Sequence, residues 1–341
     1  MKDSCFKSHW IRRVAALGLF ALALFFAGCA EEASTPSPAA KVEIVAVSAT
    51  AAQTALPTPP PTPTPSPTPT PSPVPTPEVT GLCGAKFDVF TTGEPVITDT
   101  SYQDESIALF FRKVYGDTGY SNYVTYFVVD IYIQDLESFK TASAAADFSE
   151  YGSARTSVLA EANFALAAIS GDYYAFNIRT GIVVRNGIVY NETPSNDDVC
   201  VLYDDGSMQT FTADSFDAET SLSGAWQAWS FGPSLLNEYG HAHIDFESEI
   251  SARNPRSVLG YFEPGHYCFV VIDGRQSGYS YGLTLNDTAL LMERLGCVLA
   301  YNLDGGRSAE LVWQGETANI PYDGGRPISD ILYIASPNSD G

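Results

Sequence analysis

The sequence is poor in the residues on which most metal and redox sites depend. Its 341 residues include four histidines and six cysteines, and no two cysteines have the CxxC spacing. A zinc knuckle or a thioredoxin-type redox site therefore has no support. The chain also lacks a P-loop or GxGxxG motif in a usable strand–helix context, so nucleotide binding of those kinds is not expected.

The few candidate ligands and nucleophiles do not form complete sites. His241 and His243 alternate as ligands on a strand would, but a catalytic zinc ion needs a third protein ligand and none is evident. The segment around Ser308 lacks the second glycine of a nucleophile elbow, which disfavours a serine hydrolase. The Asp304-Gly305-Gly306 turn lacks the alternating acids of an EF-hand loop, so calcium is only a weaker alternative. We predict no metal site and no other cofactor.

Basic residues are also scarce. The chain has 18 Lys and Arg against 40 Asp and Glu, a formal net charge of −22. A protein this acidic repels nucleic acid and anionic lipid surfaces, so we expect no nucleic-acid partner. A small phosphate group is not excluded, because a local cluster of arginines can hold one.

The chain begins with the features of an export signal. A basic region ends at Arg13, and the apolar run Val14–Ala27 is short for a membrane span. The run ends in Phe-Ala-Gly-Cys, which resembles a bacterial lipobox with Cys29 as the acylated residue. Phe26 stands where leucine is usual, so an ordinary secretion signal and an uncleaved anchor are the alternatives. Residues 1–29 thus predict an exported protein, lipid-anchored to the membrane and facing the extracellular or cell-wall side.

A low-complexity stretch separates this signal from the rest. Residues 30–56 are small and polar, and residues 57–77 alternate proline with threonine or serine. Such a composition forms no packed core, so we predict a disordered, polyproline-like stalk over residues 30–80. At about 3.1 Å per residue, the proline-rich part reaches on the order of 65 Å. One globular domain is expected over residues 81–341, with its core at about 100–336.

The most informative stretch of this domain is residues 267–308. Tyr267–Ile272 and Cys297–Leu303 are apolar runs typical of buried strands. Between them, apolar residues recur at helical spacing, at Leu285, Ala289, Met292 and Leu295. Thr284 or Asn286 can cap the start of this helix, and Gly296 ends it. We predict a strand–helix–strand crossover, which in such units joins parallel strands.

Parallel strands end at the same edge of a sheet, where ligands bind. Asp273-Gly274-Arg275 follows the first predicted strand, and Asn302 to Gly306 ends the second. We therefore expect two carboxylates, a guanidinium group and backbone amides to gather at one edge. The alternative is that both segments are ordinary turns, since Asp and Gly are turn formers.

Elsewhere the domain is rich in strand signals. The predicted hairpins are Ile107–Val114 with Tyr123–Ile133, Gly181–Tyr190 with an Asn-Gly turn, and Val199–Tyr203 with Met208–Thr212. A small-residue strand is expected within 163–174, a last strand at Ile331–Ala335 and a short helix within Leu136–Ala146. The fold class predicted is mixed α/β (α+β), with a mixed, largely antiparallel sheet and one parallel βαβ crossover carrying the site loops.

Four cysteines fall in the globular part, where an exported protein can oxidise them. Cys268 and Cys297 begin the two strands of the predicted crossover, so they can lie side by side. The sequence leaves two alternatives for this pair, a disulfide bond or two buried free thiols.

Several short motifs resemble one family when they are taken in order. They are Gly171-Asp172-Tyr173-Tyr174, Arg185-Asn186-Gly187, Ser230-Phe231-Gly232-Pro233, Asn254-Pro255-Arg256, Asp273-Gly274-Arg275, Asn302 to Ser308, and Gly325 to Asp330. Their order and spacing over about residues 100–336 are similar to the phosphodiester glycosidase family, which has many bacterial exported members. This resemblance implies cleavage of a sugar-1-phosphodiester at the anomeric carbon, releasing the sugar from a phosphomonoester.

The residues suit that chemistry. A sugar–oxygen bond breaks through an oxocarbenium-like state that paired carboxylates serve, and the predicted catalytic residues are Asp172, Asp273 and Asp304. Which of them is acid, base or nucleophile stays open. The predicted substrate- and phosphate-binding residues are Arg256, Arg275, Asn302, Gly305, Gly306, Ser308 and Arg326. Arginines bind phosphate in bidentate fashion, and adjacent glycine amides can form an anion nest.

The first hypothesis is thus an exported glycosidase that hydrolyses sugar-1-phosphodiester bonds of cell-surface or extracellular glycans. Its expected partners are the glycan substrate and, through the N-terminal anchor, the membrane. The alternative is a non-catalytic protein of the same fold that binds envelope polysaccharide. Paired carboxylates beside phosphate donors favour the enzyme, because a pure binder has no need of them.

Overall fold

Strands dominate the part of the chain that a computed structural model describes, which is residues 81–82, 87–116, 123–174 and 181–336. The predicted export segment, Cys29 and the stalk lie outside the described residues. No helix within the described ranges is long and apolar enough to cross a membrane.

Seventeen strands and three helices are present in these ranges. The strands are β1 Val96–Thr98, β2 Ser101–Gln103, β3 Ile107–Tyr115, β4 Thr125–Ile133, β5 Phe139–Ser143, β6 Ala167–Ser170, β7 Val183–Arg185, β8 Ile188–Asn191, β9 Val199–Tyr203, β10 Met208–Phe211, β11 Ala225–Ser230, β12 Arg256–Glu263, β13 His266–Ile272, β14 Leu299–Leu303, β15 Leu311–Trp313, β16 Glu316–Thr317 and β17 Asp330–Ile334. The helices are α1 Thr156–Ala162, α2 Ala218–Ser221 and α3 Leu285–Leu295.

The strands form three sheets with antiparallel pairing throughout the described residues. One sheet has the order β1-β2-β3-β4-β13-β12-β14, the second β10-β9-β11-β7-β8 and the third β16-β15-β6-β17-β5. Side chains of all three sheets meet in one central core, which contains Phe127, Trp229 and Leu332. The predicted sheet-dominated α/β fold is confirmed.

The seven-stranded sheet is buried on both faces, and the sequence of β13 shows how. Successive side chains of a strand point to opposite faces. Tyr267, Phe269 and Val271 accordingly join the central core. Val270 and Ile272 lie on the other face, in the layer that helix α3 covers. This is why the strand is a continuous apolar run rather than an alternating one.

The predicted crossover exists, with one difference in strand neighbours. Both β13 and β14 pair antiparallel with β12, so they run in the same direction with β12 between them. Helix α3 begins at the predicted cap, where the Thr284 hydroxyl accepts from the Asp287 amide at 3.0 Å. It ends at Gly296, whose φ is 86°. The sequence signals that locate a crossover do not show that a strand from elsewhere in the chain is inserted between its two strands.

One local prediction is corrected in part, and one helix was not predicted. Leu136–Ala146 contains only a single helical turn at Leu136–Ser138, and β5 follows it. That segment is a strand because β5 pairs with β17, and such pairing overrides a weak local propensity. Helix α1 was not predicted, since its N-cap residue Arg155 makes no side-chain cap hydrogen bond. Tertiary packing of Leu159 and Ala160 holds this short helix in place.

The cysteine pair lies where the sequence places it. The sulfur atoms of Cys268 and Cys297 are 3.8 Å apart and buried beneath helix α3. Both are free thiols in the structure, and the disulfide alternative stays a prediction. Its hydrogen bond with the Cys297 thiol and its burial together raise the pKa of Cys268.

Candidate functional site

Three strand ends meet at one edge of the seven-stranded sheet. Arg256 opens β12 opposite Ile272, the last residue of β13. The next residue of β12, Ser257, pairs with Leu303, the last residue of β14. Residues 273 and 304 therefore follow strands that flank Arg256, as the crossover predicts.

Strand β6 of another sheet reaches the same place. The Asp304 amide donates to the carbonyl oxygen of Gly171, the residue after β6, at 3.0 Å, which brings the following residue, Asp172, next to Asp304. The Ser170 hydroxyl also donates to the Asp304 carbonyl at 2.8 Å. Gly171 has to be small, because a Cβ there would lie 2.0 Å from a carboxylate oxygen of Asp330.

Beside this junction lies a cavity that we call the basic pocket, with a volume of about 230 Å³. It is lined by Phe231, Ile250, Asn254, Pro255, Arg256, Arg275, Asn302, Leu303, Asp304, Gly305, Gly306, Arg307 and Arg326. Four of these residues are arginines and one is a carboxylate, in a chain whose net charge is −22. Such a concentration of guanidinium groups favours an anionic ligand.

Asp304 is the carboxylate of the basic pocket, and it is held in one orientation. Arg326 donates from Nη2 to Asp304 Oδ2 at 2.7 Å and from Nε to the Ser308 hydroxyl at 2.6 Å. Burial raises the pKa of Asp304, the hydrogen bond from Ser308 and the charge of Arg326 oppose the rise, and the nearby Asp172 adds to it. A carboxyl group with a raised pKa and a fixed orientation is suited to proton transfer.

Arg275 is the most exposed of the predicted phosphate ligands. Its Nε and Nη2 donate to the Asn254 side-chain oxygen at 2.9 and 2.6 Å, and its guanidinium lies 5.4 Å from the centre of the Tyr322 ring. Its φ is 58°, an uncommon value for a residue other than glycine. Tyr173, whose ring lies 5.0 Å from the Arg326 guanidinium, has a φ of 68°. Backbone strain of this kind is concentrated at functional sites.

Arg256 is buried and supports the wall of the pocket. Its Nη2 donates to the carbonyl oxygens of Ile250 and Ala252 at 2.6 Å each, and its Nε donates to that of Leu283 at 3.2 Å. Within the described ranges, Nη1 has no hydrogen-bond partner. Burial and the charge of Arg275 lower the pKa of Arg256 to about 10. Most of this guanidinium thus positions the loop that carries Ile250, and one nitrogen is left for a ligand.

The expected anion nest at Gly305-Gly306 is corrected in part. The Gly306 amide donates to the Pro255 carbonyl at 2.9 Å, so it is not available to a ligand. The Gly305 amide has no hydrogen-bond partner in the described part of the chain. Gly305 also packs closely on the start of β12, since a Cβ there would lie 2.5 Å from the Pro255 oxygen. One amide, rather than two, can bind an anion.

Asp273 is at the predicted edge but lines neither this pocket nor the one described below. Its carboxylate accepts from the Asn319 side chain at 2.8 Å, the Tyr279 hydroxyl at 2.8 Å and the Ile320 amide at 3.1 Å. Burial raises the pKa of Asp273, and these hydrogen bonds oppose the rise. Asp273, which the sequence analysis grouped with Asp304, therefore connects the segment at Tyr279 with the segment at residues 319–320.

Asp172 belongs to a buried cluster of charges below the junction. Arg185 donates to Asp172 at 2.8 Å and to Asp330 at 3.1 Å. The other Asp172 oxygen accepts from the Ser230 amide at 3.1 Å. Burial raises the pKa of Asp330 to about 7, and the neighbouring Asp172 adds to the rise. The sequence analysis assigned no role to Arg185 or Asp330, although an arginine at the end of a buried strand is itself a signal.

A second cavity, the acidic pocket, adjoins the basic pocket and has a volume of about 530 Å³. It is lined by Asp172, Tyr173, Tyr174, Gly181, Ile182, Val183, Asn196, Asp197, Asp198, Ser230, Phe231, Gly232, Pro233, Glu247, Ser248, Glu249 and Ile250. Phe231 and Ile250 line both pockets. The two cavities therefore share a wall, and Asp304 lines the basic pocket.

Within the described residues, no group of three or more His, Cys, Asp or Glu side chains is arranged to hold a metal ion. The His241 ring pairs with Glu293 at 2.9 Å, and the His243 ring packs against Phe246. The groups that line the two pockets include carboxylates, guanidinium groups, hydroxyls and a backbone amide.

Comparisons with known proteins agree with this fold. Residues 163–335, half of the chain, match the phosphodiester glycosidase family, and the chain belongs to that family. This stretch contains all of the motifs on which the resemblance rested. It also contains every residue that lines the two pockets.

The individual relatives are distant. The SPbeta prophage-derived uncharacterized protein YomE of Bacillus subtilis (strain 168) is 29% identical over 168 residues, which are 47% of this chain and 26% of that protein. The fold is similar to the catalytic domain of zebrafish N-acetylglucosamine-1-phosphodiester alpha-N-acetylglucosaminidase, auto-inhibited by its pro-peptide. That match has a TM-score of 0.54 and 19% identity, over 67% of this chain and 83% of that one. A hypothetical protein from Synechocystis gives a TM-score of 0.51 and 15% identity, over 71% and 64% of the two chains.

Proposed function

We propose that the protein is an exported glycosidase that hydrolyses sugar-1-phosphodiester bonds in cell-surface or extracellular glycans. The observation that carries this proposal is the basic pocket, where four arginines surround one buried carboxylate in an acidic chain. Arginines arranged around a cavity favour a phosphate group, and a carboxylate at the same cavity supports cleavage of the sugar–oxygen bond.

Each group then has a defined task. The phosphodiester lies in the basic pocket, where Arg275, Arg326 and the Gly305 amide bind its oxygens. As the bond between the anomeric carbon and the phosphate oxygen breaks, negative charge grows on the phosphate and positive charge on the sugar ring. The guanidinium groups stabilise the first charge and Asp304 the second. Water supplies the hydroxyl that ends on the anomeric carbon, and its proton goes to the phosphate or to solvent.

The N-terminal segments support the proposed location. A lipidated Cys29 followed by a stalk over residues 30–80 holds the domain away from the membrane, on the extracellular or cell-wall side. Glycans with phosphodiester linkages are accessible substrates there. Release of the protein by mutation of Cys29 to serine, measured by fractionation of cells, tests the anchor separately from the activity.

The experiment that tests the activity is hydrolysis of a panel of sugar-1-phosphodiesters by the purified domain, with release of free sugar as the readout. We expect turnover by the native protein and a loss on the order of 10²- to 10³-fold in Asp304→Asn, since removal of one group that stabilises charge in the transition state costs about that much. Asp214→Asn is the matched control, because Asp214 is exposed and lines neither pocket. Full turnover by a folded Asp304→Asn protein would show the assignment of Asp304 to be wrong.

A second candidate, a non-catalytic binder of envelope polysaccharide, is favoured by one observation. Asp304 is the single carboxylate among the residues that line the basic pocket, whereas glycoside hydrolysis generally uses two. The same panel separates the candidates. A binder retains phosphorylated glycan, releases no sugar from any substrate and loses its affinity when Arg275 and Arg326 are replaced by glutamine.

A further inference from the structure

The two pockets differ sharply in charge although they share a wall. The basic pocket is lined by four arginines. The acidic pocket is lined by five carboxylates, and none of its described lining residues is a lysine or an arginine. A ligand that extends across Phe231 and Ile250 therefore passes from a positive to a negative environment. A substrate with one negatively charged end and one neutral or positive end can lie across this boundary in only one direction.

The volumes of the two pockets indicate which end of the substrate each pocket binds. The basic pocket, at about 230 Å³, is small enough for a phosphate and its ester link. The acidic pocket, at about 530 Å³, is in the size range of sites for whole small molecules and accommodates a sugar residue with its hydroxyls. Aromatic rings from Tyr173 and Phe231 and carboxylates that accept hydrogen bonds from hydroxyls are the groups that bind a sugar.

A buried, unpartnered side-chain atom lies at the boundary. Asn302 is 1% exposed and lines the basic pocket. Its Nδ2 donates to the carbonyl of Gly232, in the wall of the acidic pocket, at 2.7 Å. Its Oδ1 has no hydrogen-bond partner among the described residues. A buried acceptor without a partner is costly, and a donor on a ligand at the boundary relieves that cost. Asn302 therefore indicates that a hydroxyl or ammonium group of the ligand lies at this position.

The carboxylates of the acidic pocket are not equivalent. Asp172 is already neutralised by Arg185, and Asp198 accepts from the Ser234 amide at 2.9 Å. Glu247 and Glu249 are exposed at the rim and have no partner among the described residues. Both belong to the segment that ends at Ile250, whose carbonyl binds Arg256. Their charges therefore lie at the entrance of the pocket.

From this geometry we propose that the acidic pocket is the sugar subsite, and that it selects neutral or amino-bearing sugars and rejects sugars that carry a carboxylate. This inference rests on the proposed function, because it identifies the sugar side of the same reaction. The phosphate in the basic pocket fixes the orientation, and like-charge repulsion from Glu247 and Glu249 is the element that discriminates.

The test compares three substrates that differ only in the charge of the sugar. They are the methyl phosphodiesters of glucose, glucosamine and glucuronic acid at the anomeric carbon, each supplied in both anomeric forms. We expect kcat/KM for the glucuronic acid compound to be at least about 10-fold below that for the glucose compound, a difference within the range that a few charge contacts provide. The Glu247→Gln/Glu249→Gln double variant should shrink this ratio several-fold.

A matched control separates the local charge from the overall charge of the chain. Glu219→Gln/Glu316→Gln removes the same two charges from exposed positions that line neither pocket. We expect it to leave the ratio of the two kcat/KM values unchanged. Equal turnover of the three sugars, an unchanged ratio in the rim variant, or an equal effect of the control would overturn the sugar-subsite inference while leaving the proposed activity intact. Absence of turnover on all three substrates would instead overturn the activity itself and the subsite with it.

Discussion

Arg326 and Asp304 form a 2.7 Å ion pair at the edge of the basic pocket, and the same guanidinium binds the Ser308 hydroxyl. The two residues lie 22 positions apart in the sequence and on different sheet connections. The pair fixes the carboxylate and opposes the rise in its pKa that burial causes, because a positive charge favours the charged form of an acid. Several expected outcomes depend on this relationship.

The first prediction concerns the pH dependence of the proposed activity. Burial raises the pKa of Asp304, and Arg326 opposes that rise. If ionised Asp304 is the active form, activity is lost as the pH falls through this pKa. Arg326→Gln removes the opposing charge, so we expect the acidic limb of the kcat profile to move to higher pH and KM to increase.

The profile measured over the acidic range on one sugar-1-phosphodiester checks this prediction. Arg253→Gln is the control, since Arg253 is a partly exposed arginine that lines neither pocket. An acidic limb at the same pH in Arg326→Gln as in the native protein would contradict the coupling between the two residues.

The second prediction concerns the contribution of Asp273 to stability. Asp273 binds three donors, from Asn319, Ile320 and Tyr279, and lines neither pocket. Asp273→Ala leaves these donors without a partner, at a cost on the order of 1–3 kcal/mol for each one that stays buried. We expect a clear drop in Tm, whereas kcat of the protein that remains folded changes far less than in Asp304→Asn. A loss of kcat at unchanged Tm would restore Asp273 to the catalytic role that the sequence predicts.

The contrast between Asp273 and Asp304 also shows how far the sequence can lead. Strand ends are visible as apolar runs that stop at Asp and Gly, so the edge where the site lies could be predicted. The direction of a side chain beyond the strand depends on which distant segment it meets. For Asp273 that segment is residues 319–320, and for Asp304 it is Arg326. No local pattern encodes those contacts, and the acidic pocket, which is assembled from five separate stretches, was not predicted for the same reason.

The buried thiols give a chemical prediction. The thiolate is the reactive form of cysteine, and burial raises the pKa of Cys200 while burial and the partner thiol raise that of Cys268. We expect iodoacetamide to leave both residues unmodified in the folded, reduced protein and to modify them once it is unfolded. Mass spectrometry of peptides from the two samples measures this. Rapid labelling of Cys268 before unfolding would show that the layer under helix α3 opens readily.

The charge cluster of Asp172, Arg185 and Asp330 predicts how stability depends on pH. Burial raises the pKa of Asp330 from its ordinary value to about 7. Between these two pH values the folded state binds more protons than the unfolded state, so stability falls as the pH rises. Asp330→Asn cannot ionise, and its side-chain oxygen can still accept from Arg185. We therefore expect Tm of the native protein to decline from about pH 4 to about pH 7 more steeply than Tm of Asp330→Asn.

Thermal unfolding of both proteins across this range provides the comparison, with Asp214→Asn as the control for loss of a surface charge. Only the difference between the two slopes of Tm against pH reports on Asp330, because the other carboxylates titrate in both proteins. Parallel slopes would mean that Asp330 ionises in the folded state as easily as in the unfolded one. In that case the cluster would carry a full negative charge at neutral pH, and its effect on the pKa of the neighbouring Asp304 would be larger than the structure indicates.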